Sequence, residues 1–207
     1  MGTRGTHLPG SVELNQPLAG AVAGGVSANA VRPFLGYGGL GYSENSAASR
    51  YHALEAHALR RFASGFLFEA SYTFSKGLGD SEGNPQDTYN KRGDFGLLDL
   101  DRTHMLTLNY VYELPFYRKA GGWKGALLGG WQASGISTFQ SGLPFTVTFS
   151  GDRAQVGGGT QRPNLVGRPH EGRGQSLDRY FNTAAFVLQP AGAFGNAPRN
   201  AVRGPAV

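Results

Sequence analysis

The sequence predicts an all-β chain: an antiparallel up-and-down meander with one greasy face. Three observations carry this. Apolar residues recur at every second position in several stretches, helical periodicity is nearly absent, and the links between the alternating stretches are by turns short and long. A strand sends successive side chains to opposite faces, so alternation marks a strand lying between two different surroundings.

The stretch GFLFEASYTFSKGLGD at 65–80 shows the pattern most clearly. Phe66, Phe68, Ala70, Tyr72 and Phe74 fall on one face, and Leu67, Glu69, Ser71, Thr73 and Ser75 on the other. The preceding HALEAHALRRF (52–62) is ambiguous alone, because its composition favours helix. Its passage through FASG into a strong strand makes a hairpin the economical reading. His52, Leu54, Ala56, Ala58 and Phe62 then share a face, with Arg60 breaking the pattern near the turn. In THMLTLNYVYEL (103–114), His104, Leu106, Leu108, Tyr110, Tyr112 and Leu114 form one face. In GWQASGISTFQ (130–140), Trp131, Ala133 and Phe139 lie opposite Gln132, Ser134, Thr138 and Gln140, with Ile136 on the polar side. LPFTVTF at 143–149 resumes the alternation through Phe145, Val147 and Phe149. This gives roughly four to six strands of ordinary length.

The links divide the chain. Residues 1–48 are read as a loop following an earlier strand, 49–149 as the core strands, and 150–207 as a long external loop region. The link near 63–64 is tight, that from 77 to about 101 long and acidic, and that at 115–129 intermediate. Alternating short and long connections are the habit of outer-membrane barrels, which have short turns on one side and long loops on the other. A sandwich seldom carries long structureless loops without a functional reason. Tyr110, Tyr112, Phe116, Trp123 and Trp131 cluster near strand ends, where a membrane interface favours rings with an apolar body and a polar tip.

Composition agrees. Only 16% of the 207 residues are charged, 12% are aromatic and 33 are glycine, whereas soluble domains carry about 25% charged residues. No apolar run is long enough for a membrane helix, but a barrel strand needs only ~9–11 residues. The opening MGTRGTHLPGSVELNQ has no apolar stretch of secretory-leader length. There is no cysteine, hence no disulfide or thiolate site. The formal charge of +5 is scattered over Arg60-Arg61, Lys91-Arg92 and Arg118-Lys119 rather than gathered in a run, so no nucleic-acid partner is expected.

Several look-alikes fail on context. GYGGLG at 36–41 spells G-x-G-x-x-G, yet no buried strand precedes it and no helical pattern follows. His52 and His57 lie an odd number apart and so face opposite ways on a strand, and no H-E-x-x-H occurs. Asp80, Glu82, Asp87, Asp94, Asp99 and Asp101 could hold calcium, but the EF-hand spacing is missing and a solvated acidic loop explains them. No triad, nucleophile elbow or carboxylate pair is present. The chain is read as non-enzymatic, with no cofactor, metal or catalytic residue.

SRYHALEAHALRRFASGFLFEASYTFSKGLGD, DLDRTHMLTLNYVYELPF and GGWQASGISTFQSGLPFTVT, in that order, resemble the barrel of TonB-dependent outer-membrane receptors, most nearly the Oar-like branch whose members bear a carboxypeptidase-regulatory-like domain. YFNTAAFVLQPAGAFGNAPRNAVRGP at 180–205 resembles the loop before that family's last strands, and GTRGTHL at 2–8 the end of an earlier strand. The resemblance implies a large transmembrane barrel of about twenty-two strands around a plug, of which this chain would be an open sheet fragment lacking plug, TonB box, leader and final strands. It implies a place in the outer membrane of a Gram-negative-type bacterium. Its implied partners are outer-membrane lipid, the rest of the barrel and plug, TonB through the parent protein, and a large ligand such as a carbohydrate, peptide or metal chelate.

On this reading Phe66, Phe68, Ala70, Tyr72, Phe74, Leu106, Leu108, Tyr110 and Tyr112 face lipid, and the loop aromatics Tyr37, Tyr42 and Tyr89 are candidate ligand contacts. The alternative is a soluble or surface-displayed β-sandwich used for adhesion or binding, in which the greasy face would meet a second sheet.

Overall fold

The computed structural model describes residues 1–116, 121–171 and 180–206. In chain order the main strands are β1 (Gly2–Glu13), β2 (Gly41–Ala63), β3 (Phe66–Gly79), the short β4 (Gly96–Leu97), β5 (His104–Glu113) and β6 (Gln132–Gln140). They form one antiparallel sheet in the order β1-β2-β3-β5-β6, with β4 paired to the end of β3. Sequential strands are spatial neighbours throughout, so this is the up-and-down meander expected, and it is open because β1 and β6 end the order. Short helices lie at Ala28–Val31 (α1) and Gly122–Leu128 (α2). Among the described residues no helix is long and apolar enough to cross a membrane.

Ser64 and Gly65 close the β2–β3 hairpin with φ of 54° and 76°, and Ala63 pairs with Phe66 across them. Two successive left-handed residues give the turn whose twist matches that of the flanking strands, which is why a small residue and a glycine sit there. Pairing shifts by one between Arg60 and Ala63. That bulge puts Ala63, not Phe62, opposite Phe66. It also explains the break at Arg60, whose guanidinium lies 5.5 Å from the centre of the Phe66 ring.

The strands reach further than the alternation indicated. The strand end expected at 2–8 is part of β1, but β1 continues to Glu13 and β2 begins at Gly41, both inside the stretch expected as loop. The sequence GYSENSAASR shows no greasy face because here β2 has risen past the end of β3. The last pair there is Ser49 opposite Gly79. Beyond it Gly41 to Ala48 pair with no strand but β1, and the 80–103 loop packs on them through Asp80 N–H to Ala48 O at 3.2 Å and Lys91 to Glu44. This two-strand ribbon extends about 26 Å beyond β3 at a strand's rise. The expected strand at 143–149 is also corrected. Only Pro144–Phe145 (β7) is a strand, and Phe149 makes one bridge to Gln161. β7 pairs with Val202–Arg203 (β10), while Asn164–Leu165 (β8) pairs with Phe186–Val187 (β9). Pro144 lacks the N–H that a wall strand needs. Among the described residues only these two small pairs lie outside the main sheet, and they make no second sheet of a sandwich.

Connectivity sorts the links by end. The two-residue turn and the described parts of the next link, 114–116 and 121–131 with α2, lie at one end, and residues 14–40, 80–103, 141–171 and 180–206 gather at the other. The buried apolar residues are Val12, Ala47, Ala154, Val156, Ala185, Ala197 and Val202. All belong to the loop end, and β5 and β6 contain no buried residue. The molecule is therefore a bare wall surmounted by a packed crown of loops.

Candidate functional site

Register fixes what each face of the wall carries. Phe66 pairs with Tyr112, Phe68 with Tyr110, Ala70 with Leu108 and Tyr72 with Leu106. Directly opposed residues share a face, so the nine residues read as lipid-facing lie together on one side. Leu54, Ala56 and Ala58 extend that face through their pairing with Phe74, Tyr72 and Ala70. Phe139 extends it opposite Leu106. Phe66 meets Tyr112 edge-on at 6.0 Å. Phe74, Tyr110, Tyr112 and Phe139 are exposed.

The other face carries a polar row. Glu69 lies between His57 and Asn109, its carboxylate 3.0 Å from His57 Nε2 and accepting from Asn109 Nδ2 at 3.1 Å. His57, Ser71, Thr107 and Thr138 follow one another across four strands. One side of the wall thus suits hydrocarbon and the other water.

The crown is held by polar groups brought from distant loops. Arg162 is buried. Its guanidinium pairs with Asp94 and donates to Ala197 O at 2.9 Å and Gly93 O at 3.1 Å. Arg203 pairs with Asp101, and Asn200 Nδ2 donates to Leu97 O at 2.7 Å and Asp99 Oδ1 at 2.6 Å. Gln86 Nε2 donates to Gly195 O at 2.8 Å, and Gln16 Nε2 to Gln86 O at 2.9 Å. Phe181 packs edge-on against Phe145 and Phe186 at 5.7 and 5.9 Å.

Asp94 and Asp101 of the 77–101 loop are thus buried clamps rather than solvated charges, whereas Asp99 is half-exposed and the Asp87 carboxylate takes the nearby Tyr89 N–H. Among the described residues no group of three or more His, Asp or Glu could hold a metal. Glu82 is raised above its ordinary pKa by burial and by the neighbouring Asp99 charge, against the pull of Arg199. Asp152 is opposed by burial, but its bonds from the Val156, Gly157 and Gly158 N–H groups and from Gln161 hold it below the usual carboxylate range.

This crown contains a cleft of about 510 Å³ lined by Glu13, Gln16, Arg32, Asn84, Gln86 and the glycine-rich segment 156–160. All three tyrosines singled out by sequence gather near the segment that borders it. Tyr89 donates through its hydroxyl to Gln16 O at 2.7 Å. Tyr37 O accepts from Asn15 Nδ2 at 3.3 Å, and Tyr42 pairs with Val12. Each is more than half exposed, and none lines the cleft itself. The lining residues went unnoticed in the sequence, since scattered Gln, Asn and Gly carry no periodic signal.

The sequence model of the family described as "Outer membrane beta barrel domain" matches residues 1–207. The chain belongs to the outer membrane beta barrel domain family. No curated protein and no solved structure matches it. Membership places the domain in the outer membrane and is consistent with lipid contact along the wall. It also supplies the reason why the wall has no core of its own. A membrane strand is completed by lipid on one side and by the lumen on the other.

Proposed function

We propose that this barrel domain is a sector of the wall and outer crown of a TonB-dependent outer-membrane receptor of the Oar-like branch. The aromatic face meets lipid, the Glu69 row meets the lumen, and the loops at 14–40, 80–103, 141–171 and 180–206 face outward. Further strands complete the cylinder, because an unpaired strand edge cannot stand in hydrocarbon. The parent's work is TonB-energised movement of a large ligand across the outer membrane. This chain contributes enclosure and contact and performs no covalent chemistry.

The observation that carries the reading is the register. It aligns Phe66, Phe68, Ala70 and Tyr72 with Tyr112, Tyr110, Leu108 and Leu106 as one unbroken apolar surface. The order of motifs, with its Oar-like resemblance, supports the narrower assignment.

A charge scan tests the wall. Arginine at Phe68 or Ala70 should cost ~2–4 kcal/mol of stability in bilayers, and arginine at Ser71 far less. Equal tolerance on the two faces would remove the assignment. The receptor role is tested by ligand accumulation in cells expressing the full parent, which should cease when TonB is deleted. Undiminished accumulation would leave a passive barrel.

A further inference from the structure

We propose that the crown cleft binds a neutral oligosaccharide, with Tyr89 as the platform beside it. The inference rests on the reading of the crown as the outward end of the barrel, and it names the ligand class that this end would take.

The argument starts from which groups remain available. Arg32 spends Nε on Asn29 Oδ1 at 3.0 Å and Nη1 on Asn15 O at 2.6 Å, leaving Nη2. Asn84 accepts from the Ser11 hydroxyl through its amide oxygen, leaving its amide N–H groups. Glu13 takes the Asn15 and Leu40 N–H groups on Oε1 at 2.9 and 2.6 Å, leaving Oε2. Among the described residues the Thr160 hydroxyl is likewise unengaged. Donors and acceptors are therefore interleaved around one space, and the two charged groups, Arg32 and Glu13, cancel. Vicinal hydroxyls, each both donor and acceptor, match such a set.

The competing ligand classes fit less well. An apolar ligand would find little carbon beyond Pro17, Pro85 and Val156. An anion would seek the glycine-rich backbone, but the Gly157 and Gly158 N–H groups already donate to Asp152 at 2.6 and 3.1 Å. A peptide would need a run of unpaired backbone to pair with, and in the glycine-rich lining the Gly157 and Gly158 N–H groups are already taken by Asp152. The volume of about 510 Å³ lies within the ~300–1,000 Å³ of small-ligand sites.

Tyr89 completes the match. The residue is 54% exposed, yet it is fixed by its hydroxyl on Gln16 O and by its N–H on Asp87 Oδ1 at 2.9 Å. A pinned aromatic ring offers flat apolar area at small entropic cost, as the C–H face of a pyranose requires.

The test is titration calorimetry of the full chain in a detergent without a sugar headgroup. The probes are maltotriose, cellotriose and N,N′,N″-triacetylchitotriose, with trigalacturonate and trilysine as charged controls. At least one neutral trisaccharide should bind with a millimolar or lower Kd. Tyr89→Ala should weaken it about tenfold, and Thr160→Val, which keeps shape and loses the hydroxyl, severalfold. Should Tyr89→Ala lower the melting temperature, Thr160→Val decides alone. The proposal is overturned if no neutral probe binds up to about 10 mM, if a charged control binds as well as the best neutral one, or if the deciding variants leave the affinity unmoved. Repeating the titration on intact cells separates the two readings. Binding by purified protein but not by cells would overturn the outward orientation and leave the cleft assignment standing.

Discussion

Arg162 and Asp94 are the residues on which the crown closes. Their side chains are 5% and 6% exposed, and Asp94 Oδ2 has no protein partner. Removing one member strands the other as a buried charge. Arg162→Met should therefore cost ~3–5 kcal/mol, while the double replacement Arg162→Met with Asp94→Leu should recover most of the loss. Thermal unfolding of the crown, followed by proteolysis of the 80–103 and 141–171 loops, reads both. Equal losses in the single and double variants would show that the pair is not the clamp. Asp152 gives the crown a pH dependence. Its folded pKa is lowered below the ordinary 3.8, so its contribution is present above that value and disappears as pH falls through the lower folded value. Melting the protein at about pH 5 and about pH 3 should show a loss on acidification that Asp152→Asn reduces. An unchanged slope in the variant would refute this.

At the scale of elements, the β2–β3 hairpin depends on one conformation. Gly65 sits at φ 76°, and a Cβ there would lie 3.3 Å from Glu113 Cβ. Gly65→Val should cost about 1–2 kcal/mol and Gly65→Asn less, because asparagine tolerates left-handed backbone. Equilibrium unfolding in micelles gives the comparison, and equal losses would mean that crowding, not backbone strain, sets the cost.

The strands best read from sequence are those whose two faces meet different media. β3, β5 and most of β6 alternate, as strands lying between two unlike surroundings do, with Ile136 the exception. The ribbon of β1 and upper β2 does not alternate, because beyond β3 it buries only isolated apolar residues, Val12 and Ala47, against the crown, and most of it reads as loop. The crown was illegible for another reason. Its contacts join residues such as Arg162 and Asp94 that lie in different loops, and only folding shows that they meet. Tyr89 was visible as an aromatic in a polar loop; Arg32, Asn84 and Thr160 were not, because polar loop residues look alike until a cavity groups them.

At the scale of the whole molecule, apolar surface and packed interior are segregated. The aromatic face of the wall is bare, and the crown alone has a protein core. In buffer without amphiphile the chain should self-associate through that face. In detergent micelles it should elute as one defined species with the crown intact. Light scattering after gel filtration distinguishes the two states. A stable monomer in plain buffer would contradict the membrane role of the wall.

The crown's distribution along the chain has a consequence for biogenesis. Its buried ion pair and clamps draw on three separate links, and a folded cluster with desolvated charges cannot traverse hydrocarbon. On the proposed orientation these links must be translocated unfolded and can lock together only on the far side. Crown closure then acts as a ratchet, holding the threaded hairpins against retreat once the last link has emerged.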